Sequence, residues 1–149
     1  MLWNSIISTK GPKFAGLDIG YFYHKTPIHD YEYMSMPIKL FLQHTIQQYY
    51  LNSKAKNGKA YLRIRKAIYG LPQAGSLANK QLQKYLSPAG YFEWAHTPGL
   101  WKRISCQTTF TLFVGDFGFK YCKKKDAQHF IDSLLVNYDK VKEDWEGKL

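Results

Sequence analysis

The stretch TTFTLFVGDFGFKYC, residues 108–122, constrains the fold of this chain more than any other. Apolar or aromatic side chains alternate with small or polar ones on both sides of Gly115-Asp116, the period of two that a half-buried β-strand imposes. Gly-Asp is among the residue pairs that tolerate positive φ in a two-residue hairpin turn. A chain that reverses this tightly pairs with itself in antiparallel fashion, so part of the sheet is antiparallel. With the turn at Gly115-Asp116, Cys122 faces Thr109 rather than Cys106, which disfavours a disulfide. The two cysteines also lack the close spacing of a metal motif, and both read as free thiols of a reducing compartment.

The segment that follows, KKKDAQHFIDSLLVNYDKVKEDW, predicts the most clearly patterned helix. Asp126 is placed to cap it, and Ala127, Phe130, Ile131, Leu134, Leu135 and Tyr138 fall on one apolar stripe wide enough to cover a sheet. The lysine run 123–125 is badly placed for the helix dipole and reads as a solvated loop. The DWEGKL end reads as a charged extended segment. Upstream, a strand is predicted around Phe14 to Ile19, a loop through HKTPIHD, and an extended piece YEYMSMP closed by Pro37. In AYLRIRKAIYG, Tyr61, Arg63 and Arg65 share one face, while Leu62, Ile64 and Ile68 share the other. LPQAGS breaks this strand, and Ser76 can cap a helix with Ala78, Leu82, Tyr85 and Leu86 on one side, ended by SPAG. GLWKRI suits another strand. The predicted class is α+β, a mostly antiparallel sheet with helices packed on one face.

A chain of 149 residues, 45% hydrophobic and 17% aromatic, can fill one core, which argues against disorder and for a single domain. NSKAKNGK, residues 52–59, is its most linker-like piece and is short enough to be an internal loop. The formal net charge is +10, and no Asp or Glu occurs between Tyr33 and Phe92. Such a field favours a polyanion, with nucleic acid ahead of an anionic membrane surface. The first ten residues lack a leader-like apolar core, and no apolar run approaches membrane-spanning length, so an intracellular, cytoplasmic chain with no membrane partner is expected. None of the five histidines has metal-ligand spacing, and no serine or cysteine has a readable base partner.

Five segments stand in order: LDIGYFYHKTPI, YEYMSMPI, IRKAIYGLPQAGSLANKQL, HTPGLW and LFVGDFGFKY. Together they closely resemble the reverse transcriptase region of copia-type retrotransposon polyproteins, from about Leu17 onward, with YGLPQAG the most specific piece. The resemblance implies RNA-directed DNA polymerisation on a palm-like sheet, with template–primer and deoxynucleotides as partners. It also implies a partial domain: palm and part of the fingers, without thumb, RNase H or integrase regions. It implies two magnesium ions anchored by carboxylates from adjacent strands, since Mg²⁺ prefers hard oxygen ligands. The matching catalytic and metal-binding positions are Asp18 in the first motif and Asp116 in the hairpin. The family's first hairpin aspartate is here Gly115, which offers no ligand, so weakened metal binding and an impaired or inactive copy are expected. A one-residue slip of the turn is expected to reverse the hairpin's alternation and so not to rescue the site.

By the same resemblance Tyr23 lies under the incoming sugar, where a flat ring excludes a ribose 2′-hydroxyl, and Gln73 lies near nucleotide and template. Arg63, Arg65, Lys66, Lys80 and Lys84 are the candidates for contacts to the nucleic-acid backbone. An alternative is a non-catalytic RNA-binding module, because DFGFKY weakly resembles the aromatic strand of an RNA-recognition motif. That reading requires Phe117 or Phe119 to be exposed, whereas the polymerase reading requires Asp18 and Asp116 side by side. A third is an aromatic-rich interaction domain with no role in nucleic-acid binding.

Overall fold

The computed structural model describes residues 2, 8, 10–113 and 115–145. Among the described residues eight strands form: β1 Lys13–Ile19, β2 Pro27–Pro37, β3 Lys59–Lys66, β4 Tyr91–Glu93, β5 Leu100–Arg103, β6 Thr109–Phe113, β7 Asp116–Tyr121 and β8 Val141–Asp144. The α-helices are α1 Gln43–Tyr49, α2 Leu51–Lys54, α3 Ala74–Leu86 and α4 Lys124–Leu135. Six strands make one sheet in the order β4-β5-β6-β7-β1-β8, and β2 and β3 make a separate two-stranded sheet. Every named strand pair is antiparallel. The protein is α+β, as the alternation and the helical stripe imply.

Leu17, Ile19, Phe110, Phe117 and Phe119 turn inward from the large sheet, and Ala78, Leu82, Leu86, Phe130, Ile131 and Leu134 meet them from α3 and α4 in one core. Phe110 is central: its ring stacks on Trp101 (5.4 Å between centroids) and on Phe130 (4.4 Å), tying sheet to helix. Both helices cover this face, so the other face of β1 and β7 is left to solvent around Asp18 and Asp116. The small sheet is joined to this body by Gln73 Nε2 donating to Glu32 Oε1 (3.0 Å) and by Ile28 of β2, which packs in the same core.

Several boundaries differ from expectation. Helix α4 begins at Lys124, inside the lysine run, so Asp126 is in its first turn rather than at its cap. An acid there still complements the helix N-terminus, which offsets the lysines. Leu135 is 47% exposed and leaves the predicted stripe, while Tyr138 stays buried beyond the helix end. Helix α3 begins at Ala74 with Gln73 at its cap, placing Ser76 inside the helix. The LPQA turn rolls directly into it, Ala74 N donating to Leu71 O and Leu77 N to Gln73 O. Strand β2 starts at Pro27, within the expected loop, and its pairing with β3 shifts between Pro27 and Glu32. Pro27, which has no amide to donate, is tolerated as a first strand residue. Residues 146–149 of DWEGKL and position 114 of the hairpin lie outside the described residues; Glu143 and Asp144 belong to β8. No helix among the described residues is long and apolar enough to cross a membrane.

Candidate metal and nucleic-acid site

The site grows out of the pairing of β1 with β7. Pairing residues 13–18 with 121–116 sets Asp18 directly opposite Asp116. The Ile19 amide donates to the Gly115 carbonyl at 3.1 Å, so positions 19 and 115 are a hydrogen-bonded pair. In an antiparallel ladder the next pair, Asp18 and Asp116, is then non-hydrogen-bonded, the kind whose Cα atoms approach to about 4.5 Å. Both carboxylates project from the exposed face, because their neighbours Leu17, Ile19 and Phe117 are buried. Neither forms an ion pair with a described residue. Like charges directly opposite are destabilising, and a cation between them would remove that cost.

Two residues that the sequence did not single out complete the surroundings. Lys142 is opposite Asp18 on the other side of β1, and Asp144 is opposite Gly16. Gly16 also faces Gly118, but the Phe14 ring lies over Gly118, 3.2 Å from where a Cβ would stand, so only Gly16 leaves backbone uncovered beside the two aspartates. Gly16, Asp18, Asp116, Lys142 and Asp144 line a depression of about 340 Å³. Alternation along VKED puts Lys142 and Asp144 on one face, but nothing local announces that β8 pairs with β1.

The hairpin corrects one expectation. Phe113 stands opposite Asp116, so the reversal lies between them, one residue earlier than predicted, and Asp116 is a strand residue. Accordingly Thr109 pairs with Lys120, and Cys122 Sγ meets Gln107 Oε1 at 3.3 Å instead of facing Thr109. The slip does not reverse the alternation: Phe110, Phe117 and Phe119 remain inside. The two-residue turn moves as a unit, one strand losing a residue and the other gaining it, so partners change by two and faces are kept.

The turn also holds Gly115 at φ +102°, buried, where an added Cβ would come within 3.2 Å of Phe22 Cβ and 3.7 Å of the Ile19 carbonyl oxygen. That direction is toward the packed side, away from the Asp18–Asp116 face. As a test of fit to magnesium, the carboxylate pair suits one hard divalent ion. No cluster of three or more His, Cys, Asp or Glu among the described residues is arranged to hold a metal, and Lys142 is the ladder partner of Asp18 on β8.

The remaining candidates are dispersed. Tyr23 is buried in the core, its ring edge-on to Tyr69 (4.8 Å) and tilted against Phe22 (5.5 Å), and it does not line the depression. Gln73 is half-buried, bonded to Glu32. Arg63, Arg65 and Lys66 are exposed on β3 of the small sheet. Lys80 and Lys84 are exposed on α3, opposite its buried positions Ala78 and Leu82, and therefore on the side of the helix layer away from the aspartates. Those two lysines do not share a surface with the carboxylate pair. The aromatic hairpin of the alternative reading is unavailable for stacking, since Phe117 and Phe119 are 2% and 0% exposed.

No family model matches the chain, and no solved structure matches it.

Proposed function

We propose that the chain is the palm, with part of the fingers, of a copia-type reverse transcriptase, in a copy whose chemistry is impaired at Gly115. The observation that carries this reading is the direct pairing of Asp18 with Asp116 on the open face of an antiparallel sheet. The first and last segments of the resemblance are 98 positions apart between these two residues, and sharing one ladder rung is what a carboxylate pair for metal binding requires. The helices behind the sheet and the basic β3 strand are in keeping with it.

Asp18 and Asp116 would hold a magnesium ion, which when bound neutralises triphosphate charge and activates a primer hydroxyl. Gly16, which has no side chain, leaves room beside the pair in the depression that they share. By the resemblance, position 115 is where the family carries its further carboxylate; here glycine carries none and the turn directs that position toward Phe22. Asp18 and Asp116 are therefore left without a third ligand, and geometry lost at a phosphoryl-transfer site commonly costs orders of magnitude in rate.

The test has two parts. Primer extension in magnesium should be at background for the protein as it stands; robust extension would refute the impairment. Thermal unfolding with and without MgCl₂ should reveal a small stabilisation that Asp18→Asn and Asp116→Asn each abolish. No magnesium effect in the unmutated chain, or an undiminished one in both variants, would remove the metal-site reading.

A further inference from the structure

The small sheet carries a surface that the carboxylate site does not use. Tyr33 is opposite Arg63 and Tyr61 is opposite Ser35, so these side chains share one face of β2–β3. Tyr31 joins them, its ring under the Arg63 guanidinium at 4.6 Å. All three tyrosines are nearly two-thirds exposed, at 62%, 65% and 63% for Tyr31, Tyr33 and Tyr61. Arg65 and Lys59 extend the cationic edge of the same face, and both are exposed. The opposite face is the packed one, with Leu62 and Ile64 partly covered and Glu32 engaged by Gln73. The platform therefore presents three aromatic rings and three cations, and no carboxylate occurs in the sequence between Tyr33 and Phe92.

We propose that this face binds single-stranded nucleic acid, the tyrosine rings stacking on bases while Lys59, Arg63 and Arg65 follow the phosphates. Same-face positions along a strand are about 6.8 Å apart, a spacing that separates successive rings enough for an unstacked base to lie against each. In a duplex the bases are already stacked on one another, which leaves only the cations to contribute. Stacking on aromatic side chains together with a basic track is how unpaired strands are held with little sequence preference. The ring beneath Arg63 also holds that guanidinium in place before any ligand arrives, so less side-chain freedom is lost on binding. An anionic lipid surface would be met by the same cations, but it would prefer a contiguous aliphatic patch to rings separated by arginines.

This deepens the nucleic-acid part of the proposed function for Arg63 and Arg65, yet it rests on β2–β3 and not on the aspartates. The experiment is fluorescence anisotropy with labelled oligothymidine, a blunt duplex of equal length as competitor, and phosphatidylserine vesicles as a separate probe. The single strand should bind more tightly than the duplex, with affinity falling as salt rises. Tyr33→Ala and Tyr61→Ala should each weaken single-strand binding by about tenfold, whereas Tyr33→Phe and Tyr61→Phe should retain it. Replacing MgCl₂ by EDTA at matched ionic strength should leave it unchanged, which separates failure of this proposal from failure of the polymerase reading. Equal affinity in the alanine variants, preference for the duplex, or binding to vesicles but not to the oligonucleotide would each overturn it. The alanine variants' unfolding curves, expected to match that of the unmutated chain, establish that a loss of binding is local.

Discussion

At the scale of single residues, Gly115 and the two aspartates carry the argument. Gly115→Asp is the repair that the resemblance suggests, but at φ +102° the backbone lies outside the left-handed well near +57° that aspartate tolerates. The Cβ would also press on Phe22. The expected outcome is a loss of about 1–2 kcal/mol in chemical denaturation and no recovered primer extension; full stability with restored activity would show that the turn adapts freely. Asp116→Asn is expected to do the opposite without metal. Removing one of two facing like charges should raise stability by about 0.5 kcal/mol in EDTA, and added magnesium should narrow the gap to the unmutated chain.

At the scale of elements, the contact between α4 and the β4–β5 edge carries a pH dependence unrelated to the proposed site. Arg103 Nη2 lies 3.0 Å from His129 Nε2. A guanidinium can only donate, so Nε2 accepts and the ring proton sits on Nδ1, facing the Tyr91 hydroxyl at 3.1 Å. Burial, and then Arg103, hold the His129 pKa below its ordinary value. The unfolded chain therefore takes up a proton near pH 6.5, roughly the ordinary histidine value, that the folded chain refuses. Stability present above that pH is lost as pH falls toward the folded-state pKa. Denaturation midpoints should drop as pH falls below about 6.5, and His129→Gln should flatten the drop. Asp139, held below its ordinary pKa by the Lys25 ammonium at 2.6 Å, gives the same sign but only near the carboxylate range, so the two are separable. In the same layer, Phe110→Ala should cost about 3–5 kcal/mol, because its ring joins Trp101 to Phe130 and no neighbour can refill the space.

At the scale of the whole molecule, the charge is partitioned. Arg63, Arg65 and Lys66 are on the small sheet, Lys80 and Lys84 are on the outer side of α3, and the aspartates are on the open face of the large sheet. A net charge of +10 attracts a polyanion from a distance, but only cations that share a surface with the bound strand release counterions. Replacing Lys80 and Lys84 together by Ala should leave the slope of oligonucleotide affinity against salt nearly unchanged. Replacing Arg63 and Arg65 should reduce it by about 1.4. Equal reductions for both pairs would mean that the strand crosses the helix layer.

Much of the fold was legible from local pattern. The period of two in TTFTLFV and DFGFKY set the hairpin strands, and the stripe of Ala127, Phe130, Ile131 and Leu134 set a helix that covers a sheet. These are local consequences of backbone geometry, in which side-chain direction repeats every two or 3.6 residues. Turn register was not legible at that level, because a two-residue reversal can slide by one position and still keep every apolar ring inside. Nor was the row Asp116, Asp18, Lys142, which joins three strands that are distant in sequence, or the burial of Tyr23 against Tyr69. The amino-acid order by itself determined which faces are apolar and where the acids and bases sit along each strand. Which strands become neighbours, and so which charges meet, was decided only by the tertiary structure, since packing one shared core selects among strand orders that local propensity leaves equivalent.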